Sequence, residues 1–268
     1  MRKAGKITSA VMAIACATIF VAGCDSLRPE RVYSEDFQWS DSSTIIGLSD
    51  SGINRKTLVI PANCKELSNF NLKNNYSCAT KVQFESNDDI SLEGVFSGDD
   101  IIVDIDLPDN LTTLGVCCFQ ECSSLESISI PAGVTVIPTA CFALDTSLNN
   151  IVFEGDISEI HHRAFWRCSS LQTIALKDSI ERIDNFAFAE CTSLSSIVLP
   201  SSLTTIGDNV FDGSGVTLIV VPADMVLSEW SQTSFDTKGE YTVQVTEGSW
   251  ADEHFEEVFT GSVTKQFS

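Results

Sequence analysis

The chain has 268 residues, with 37 Asp and Glu against 16 Lys and Arg, and a formal charge of −21. So acidic a surface repels nucleic acid and anionic lipid head groups, which excludes both as charge-driven partners. With three histidines (His161, His162 and His254) and no HExxH, GxSxG or Gly-rich phosphate-loop pattern, no catalytic, metal or cofactor constellation is present, and the chain reads as a non-enzyme.

At the N-terminus Arg2, Lys3 and Lys6 precede an apolar run from Ile7 to Val21, closed by Val21-Ala22-Gly23-Cys24. This is the layout of a secretory signal, too short and wrongly flanked for a stable membrane span. The small residues before Cys24 resemble a bacterial lipobox. That resemblance implies a signal peptide over residues 1–23, cleavage before Cys24 and a diacylglycerol on its sulfur. Cleavage removes three basic and no acidic side chains, which takes the charge from −21 to −24. Residues 24–40, with Ser26, Pro29, Glu30, Ser34 and Glu35, read as a polar tether. The lipid on Cys24 is then the only membrane attachment expected.

Residues 41–93 are apolar in short runs, such as Ile45-Ile46-Gly47-Leu48 and Leu58-Val59-Ile60-Pro61, without a clean period. They read as a divergent N-terminal cap with irregular repeats. From 94 to 222 the register is strict. Phe96, Phe119, Phe142, Phe165, Phe188 and Phe211 recur every 23 residues. Five residues before the Phe come Leu114, Ile137, Ile160, Ile183 and Ile206, and nine after it come Ile128, Ile151, Ile174, Ile197 and Val220. A period of this length marks a solenoid, whose coils bury their apolar faces on one another. The branched, alternating stretch Leu-x-x-Ile-x-Ile predicts one short strand per coil. The stretch Ile206-Gly207-Asp208-Asn209-Val210-Phe211 predicts a turn entering a short helical turn. The fold expected is an α/β solenoid of 23-residue coils with irregular caps at both ends.

The run Ile183-Asp184-Asn185-Phe186-Ala187-Phe188-Ala189-Glu190-Cys191-Thr192-Ser193-Leu194, followed by Ile197-Val198-Leu199-Pro200, resembles the BspA-type (treponemal) leucine-rich repeat. Residues 39–61 resemble the irregular leading segment of such proteins. The chain departs from the eukaryotic leucine-rich repeat, because Asn110, Gly133, Asp156, Ser179 and Ser202 stand where that type stacks Asn. The turn after each strand must therefore satisfy its backbone groups another way. The resemblance implies a bacterial cell-envelope lipoprotein, held in the outer membrane and exposed at the surface, that binds protein partners as an adhesin does. The alternative is an accessory lipoprotein that scaffolds neighbouring envelope complexes and has no host ligand.

Cys122, Cys168 and Cys191 share one register with Asp145 and Ser214, and Cys118 and Cys141 share another. Strands about 4.8 Å apart leave a disulfide, which spans Cα separations of about 4.4–6.8 Å, open for Cys168 with Cys191 or Cys118 with Cys141. Free Cys is also among the most buried residue types, so these positions equally suit apolar fillers.

Two surfaces are candidates for a partner. On the turn side of one coil, His161, His162, Arg163, Trp166 and Arg167 combine a basic cluster with a Trp that neighbouring coils replace by Ala143 and Ala189. Exposed Trp and Arg are enriched at interfaces. The alternative is the outward face of the strands, with Val152, Ala175, Val198 and Val221 preceded by Asp106 and Ser129, and beside them Asp104, Ser127, Asn150, Thr173, Ser196 and Ile219. This face either takes a flat or extended partner or is covered by the C-terminal segment. Residues 223–268 leave the register and read as a C-terminal cap, with a helix over 226–230, a strand over 241–245 and a second helix over 249–259.

Overall fold

The structure is a computed structural model, and it describes residues 34–67, 74, 77–85, 90, 92, 94–235, 237 and 239–268. The signal peptide, Cys24 and the start of the tether lie outside the described residues. The chain winds through about nine turns of about 23 residues. Its first strands are β1 (Phe37–Trp39), β2 (Thr44–Leu48), β3 (Thr57–Ile60), β4 (Glu66–Leu67), β5 (Lys81–Phe84), β6 (Asp104–Asp106), β7 (Ser127–Ile130) and β8 (Val136–Ile137). Then follow β9 (Asn150–Phe153), β10 (Glu159–Ile160), β11 (Arg182–Ile183), β12 (Ser196–Val198), β13 (Thr205–Ile206), β14 (Leu218–Val220), β15 (Tyr241–Val245) and β16 (Val263–Phe267). Two short helices, α1 (Trp250–Glu253) and α2 (Phe255–Val258), lie between β15 and β16.

Each regular coil has three sides. One side carries the Leu-x-x-Ile-x-Ile strand, and pairing is parallel across coils: Ile128 faces Ile151 and Ile130 faces Phe153. A second side carries a two-residue strand, and β8, β10, β11 and β13 form one continuous parallel sheet. The third side is the turn that holds the Phe. All six Phe are fully buried, and their rings stack at 5.3–6.0 Å, within 8° of parallel. Phe235 continues the column beyond the regular register, 6.3 Å from Phe211.

The turn side is not helical, and this corrects the expected α/β coil. In each coil the residues two before and two after the Phe have positive φ: Cys117 and Glu121, Ala140 and Leu144, Arg163 and Arg167, Phe186 and Glu190. Glycine takes these positions at Gly94, Gly98 and Gly213. A left-handed L-residue costs roughly 1–2 kcal/mol. The return is a hydrogen-bond ladder along the stack instead of bonds within a helix. The Cys117 amide donates to the Thr139 carbonyl at 3.0 Å, Arg163 to Asn185 at 3.1 Å and Phe165 to Ala187 at 2.9 Å. Left-handed residues turn these amides out of the coil toward the next one, which the repeated α conformation of a helix cannot do.

The strand side is discontinuous. It pairs as β3-β5-β6, as β7-β9 and as β12-β14-β15-β16. Residues 172–176, where the register predicts a strand, form none, although Ile174 is buried as expected. Ala175 stands there between Val152 and Val198, and it favours a strand less than Val does. The turns after the strands, which lack an Asn ladder, use hydroxyls: Ser179 Oγ donates to Ile157 O at 2.8 Å and Ser202 Oγ to Ile180 O at 2.7 Å.

At the C-terminal end, β15 and β16 add two more parallel strands to the β12-β14 sheet. Residues 226–230 form no helix. Ser228 is a bend instead, and Thr205 bridges Glu229 in parallel.

Candidate partner-binding surfaces

The basic cluster begins where β10 ends. His161 turns toward the second sheet, its Nε2 2.9 Å from Glu159 Oε2. His162 leads into the turn and meets the Phe186 ring edge-on, with centroids 5.9 Å apart. The left-handed backbone at Arg163 brings its guanidinium over two rings, 5.1 Å from the Trp166 centroid and 5.6 Å from that of Phe186. Phe165 points into the core, so Trp166 points out and is half-buried. Arg167 covers Trp166 at 4.4 Å while its fork grips Glu190, with Nε to Oε2 at 2.9 Å and Nη2 to Oε1 at 3.3 Å.

The structure therefore brings His162, Arg163, Trp166 and Arg167 into one patch and directs His161 to Glu159. Cation–π contacts at such exposed sites contribute about 0.5–1 kcal/mol each, which offsets part of the entropy lost by ordering these long side chains. Arg163 takes part in none of the ion pairs among the described residues, whereas Arg167 and Arg182 do. Phe186 and Glu190 complete the patch and were not among the residues singled out. Phe186 carried a sequence signal nonetheless, since it stands where other coils place Cys117, Ala140, Arg163 and Asn209.

On the strand side Val152 and Val198 are 47% and 57% exposed, with Ala175 exposed between them. Val221 does not join them. It is 3% exposed, and Ile219 is fully buried. The coil between β12 and β14 is one residue short, so Ile197 pairs with Ile219 and Val198 with Val220. A one-residue slip exchanges the inner and outer faces of a strand, and Val220, expected inside, is half-exposed. Toward the N-terminal end the same side becomes acidic and forms a cavity of about 430 Å³ lined by Asp104, Asp106, Asp109 and Glu154. Lys81 Nζ lies between Asp104 and Asp106, at 2.7 and 3.0 Å. The Gln83 amide, at 2.6 Å, and this ammonium hold the Asp106 carboxyl below its ordinary range against the effect of burial.

The eight cysteines among the described residues are free thiols. Cys122, Cys168 and Cys191 each donate to the carbonyl of a Phe 26 residues earlier, at 3.1, 3.0 and 3.0 Å. No group of three or more His, Cys, Asp or Glu among the described residues is arranged to hold a metal ion, and no described helix is long and apolar enough to cross a membrane.

The BspA type leucine-rich repeat region model matches in six copies, over residues 35–148 and 113–238. A solved leucine-rich repeat protein from Bacteroides ovatus is similar at 25% identity with a TM-score of 0.60, covering 77% of this chain. The match spans about half of that protein, 54% of its length. A leucine-rich cell surface protein from Faecalibacterium prausnitzii aligns at 19% identity with a TM-score of 0.49, covering 77% of this chain and 65% of that one. No curated protein matches the chain. The repeat model covers well over half the sequence and takes in the whole Phe column from Phe96 to Phe211: the chain belongs to the BspA-type leucine-rich repeat family.

Proposed function

We propose that this protein is a lipid-anchored bacterial envelope protein that binds protein partners without catalysis. Its contact surface is the turn-side patch of His162, Arg163, Trp166 and Arg167, completed by Phe186, with His161 at its edge against Glu159. The observation that carries this reading is Arg163. Its guanidinium is held against two aromatic rings, and no carboxylate takes its fork among the described ion pairs, on a chain with 37 acidic side chains. A pre-positioned Arg costs less entropy to bind with and presents a fork shaped for a carboxylate. The partner that suits it offers an acidic side chain beside an apolar group that covers Trp166. Family membership supports binding as the general role, since a repeat array offers area. The sequence before Cys24 supports the lipid anchor, and family membership supports an envelope or surface location.

The exposed stripe of Val152, Ala175 and Val198 supports a second surface, suited to a flat apolar partner. Protease treatment of intact cells tests the location: cleavage of the protein supports a surface binder, and protection supports the internal scaffold. A partner recovered from the native environment is then assayed against Arg163→Gln and Val198→Asp. Loss with the first alone supports the patch, and loss with the second alone moves the site to the strand side.

A further inference from the structure

We propose that Asp145 is a neutral carboxylic acid in the folded protein and stands in for a thiol of the buried column, with Oδ1 accepting from the Cys122 amide and an Oδ2 hydroxyl donating to the Phe119 carbonyl. Asp145 occupies the register of Cys122, Cys168 and Cys191, and it is fully buried. Each of those thiols donates to the Phe carbonyl 26 residues earlier: Phe96, Phe142 and Phe165 respectively. The acceptor at the same offset from Asp145 is Phe119 O. It takes one bond from the Cys122 amide at 3.1 Å, which leaves a lone pair for a second donor.

On the other side of the carboxyl, the Cys122 amide donates to Oδ1 at 2.8 Å. Oδ2 has no donor within reach. A carboxylate would leave that oxygen charged and unpaired in the core, whereas an acid fills both roles of a thiol at once. The groups that face it are Cys122 and Cys168 from the coils on either side and Cys118 and Cys141 from the turn segments, with Asp99 one coil beyond Cys122. None of the ion pairs among the described residues reaches it, so no cation compensates an ionised form. Burial pushes the Asp145 carboxyl well above its ordinary range, and the Cys122 amide pulls it down by less.

The consequence is a pH-sensitive joint at mid-array. An unfolded Asp ionises near about 3.9, so folding takes up a proton at any pH between that value and the raised folded one. The stabilising contribution is complete below the unfolded value and is lost as pH rises through the folded value. Across that window the unfolding constant rises by up to about tenfold per pH unit.

Denaturant unfolding of the full mature chain from about pH 5 to about pH 8, together with its carboxyl infrared spectrum, tests this against Asp145→Asn and Asp145→Cys. Both replacements can donate and accept; Asn does not ionise, and an unfolded Cys, with a pKa near about 8.5, ionises only at the upper end of this range. The expected result is a neutral-carboxyl C=O band at acid pH that both variants lose or reduce, and a pH slope steeper in the natural chain than in either variant. Parallel pH profiles in all three proteins would overturn the proposal, as would an unchanged band in both variants. Two variants that fail to fold even at acid pH would overturn it as well, because a carboxyl and not a thiol-like group would then be required.

Discussion

The rings of Phe165 and Phe188 lie 5.3 Å apart and within 1° of parallel, and each belongs to a coil that the other helps to close. Neither coil could bury its own Phe. Contact across the coil boundary is therefore what makes a 23-residue period stable.

Phe165→Ala removes the ring from the middle of this column. The cavity left among Phe142, Phe188 and the surrounding Leu and Ile residues costs about 3–5 kcal/mol. Equilibrium unfolding in denaturant measures it. A loss below about 1 kcal/mol, the scale of an ordinary surface change, would show that the rings are not the core.

Glu121 is exposed and sits at φ 62°, in the register where Gly98 and Gly213 stand. Glu121→Gly relieves left-handed strain of roughly 1–2 kcal/mol, against about 0.5–1 kcal/mol of added chain entropy in the unfolded state. The expected outcome is a small gain in stability, seen as a higher denaturant midpoint. A lower midpoint would mean that the Glu121 side chain contributes more than its backbone costs.

The thiols divide into two classes. Cys78 and Cys117 are partly exposed, whereas Cys118, Cys122, Cys141, Cys168 and Cys191 are fully buried. Burial raises the Cys118 thiol far above its ordinary range and pushes Cys191 up to about 12, so neither supplies thiolate near neutral pH. Alkylation followed by peptide mass mapping is expected to mark Cys78 and Cys117 in the native protein and the buried group only after unfolding. Recovery of a Cys168–Cys191 disulfide without reductant would contradict free thiols.

Trp166→Ala and Val198→Asp separate the two candidate surfaces. A Trp at an interface centre contributes 2 kcal/mol or more, roughly thirtyfold in affinity. A charge at Val198 blocks close approach to the strand side. Binding that survives both changes in folded protein would remove both surfaces.

On the proposed anchor, Cys24→Ser is expected to abolish lipid labelling and release the protein from the membrane fraction, because no described helix is long and apolar enough to cross a membrane. Undiminished membrane fractionation of this variant in high salt would contradict the anchor.

The sequence by itself determined the period, the column of six Phe and the inward side chains such as Ile128 and Ile151, because burial in a stack repeats at fixed chain spacing. It also showed Trp166 as a departure from its register. Tertiary structure alone decided the rest. Left-handed backbone at Cys117 or Arg163 follows from carbonyls that the next coil supplies, and residue type gives little sign of it. The pairing of Ile197 with Ile219 depends on where a 22-residue coil drops one residue, and that choice buries Val221. Ala175 lies in no strand, although Val152 and Val198 in the coils on either side do. Arg163 gained its setting from Phe186, 23 residues on, and Asp145 from thiols in the coils above and below. A period records which residues recur, while hydrogen bonds and charge states are set by the groups that recurrence brings into contact.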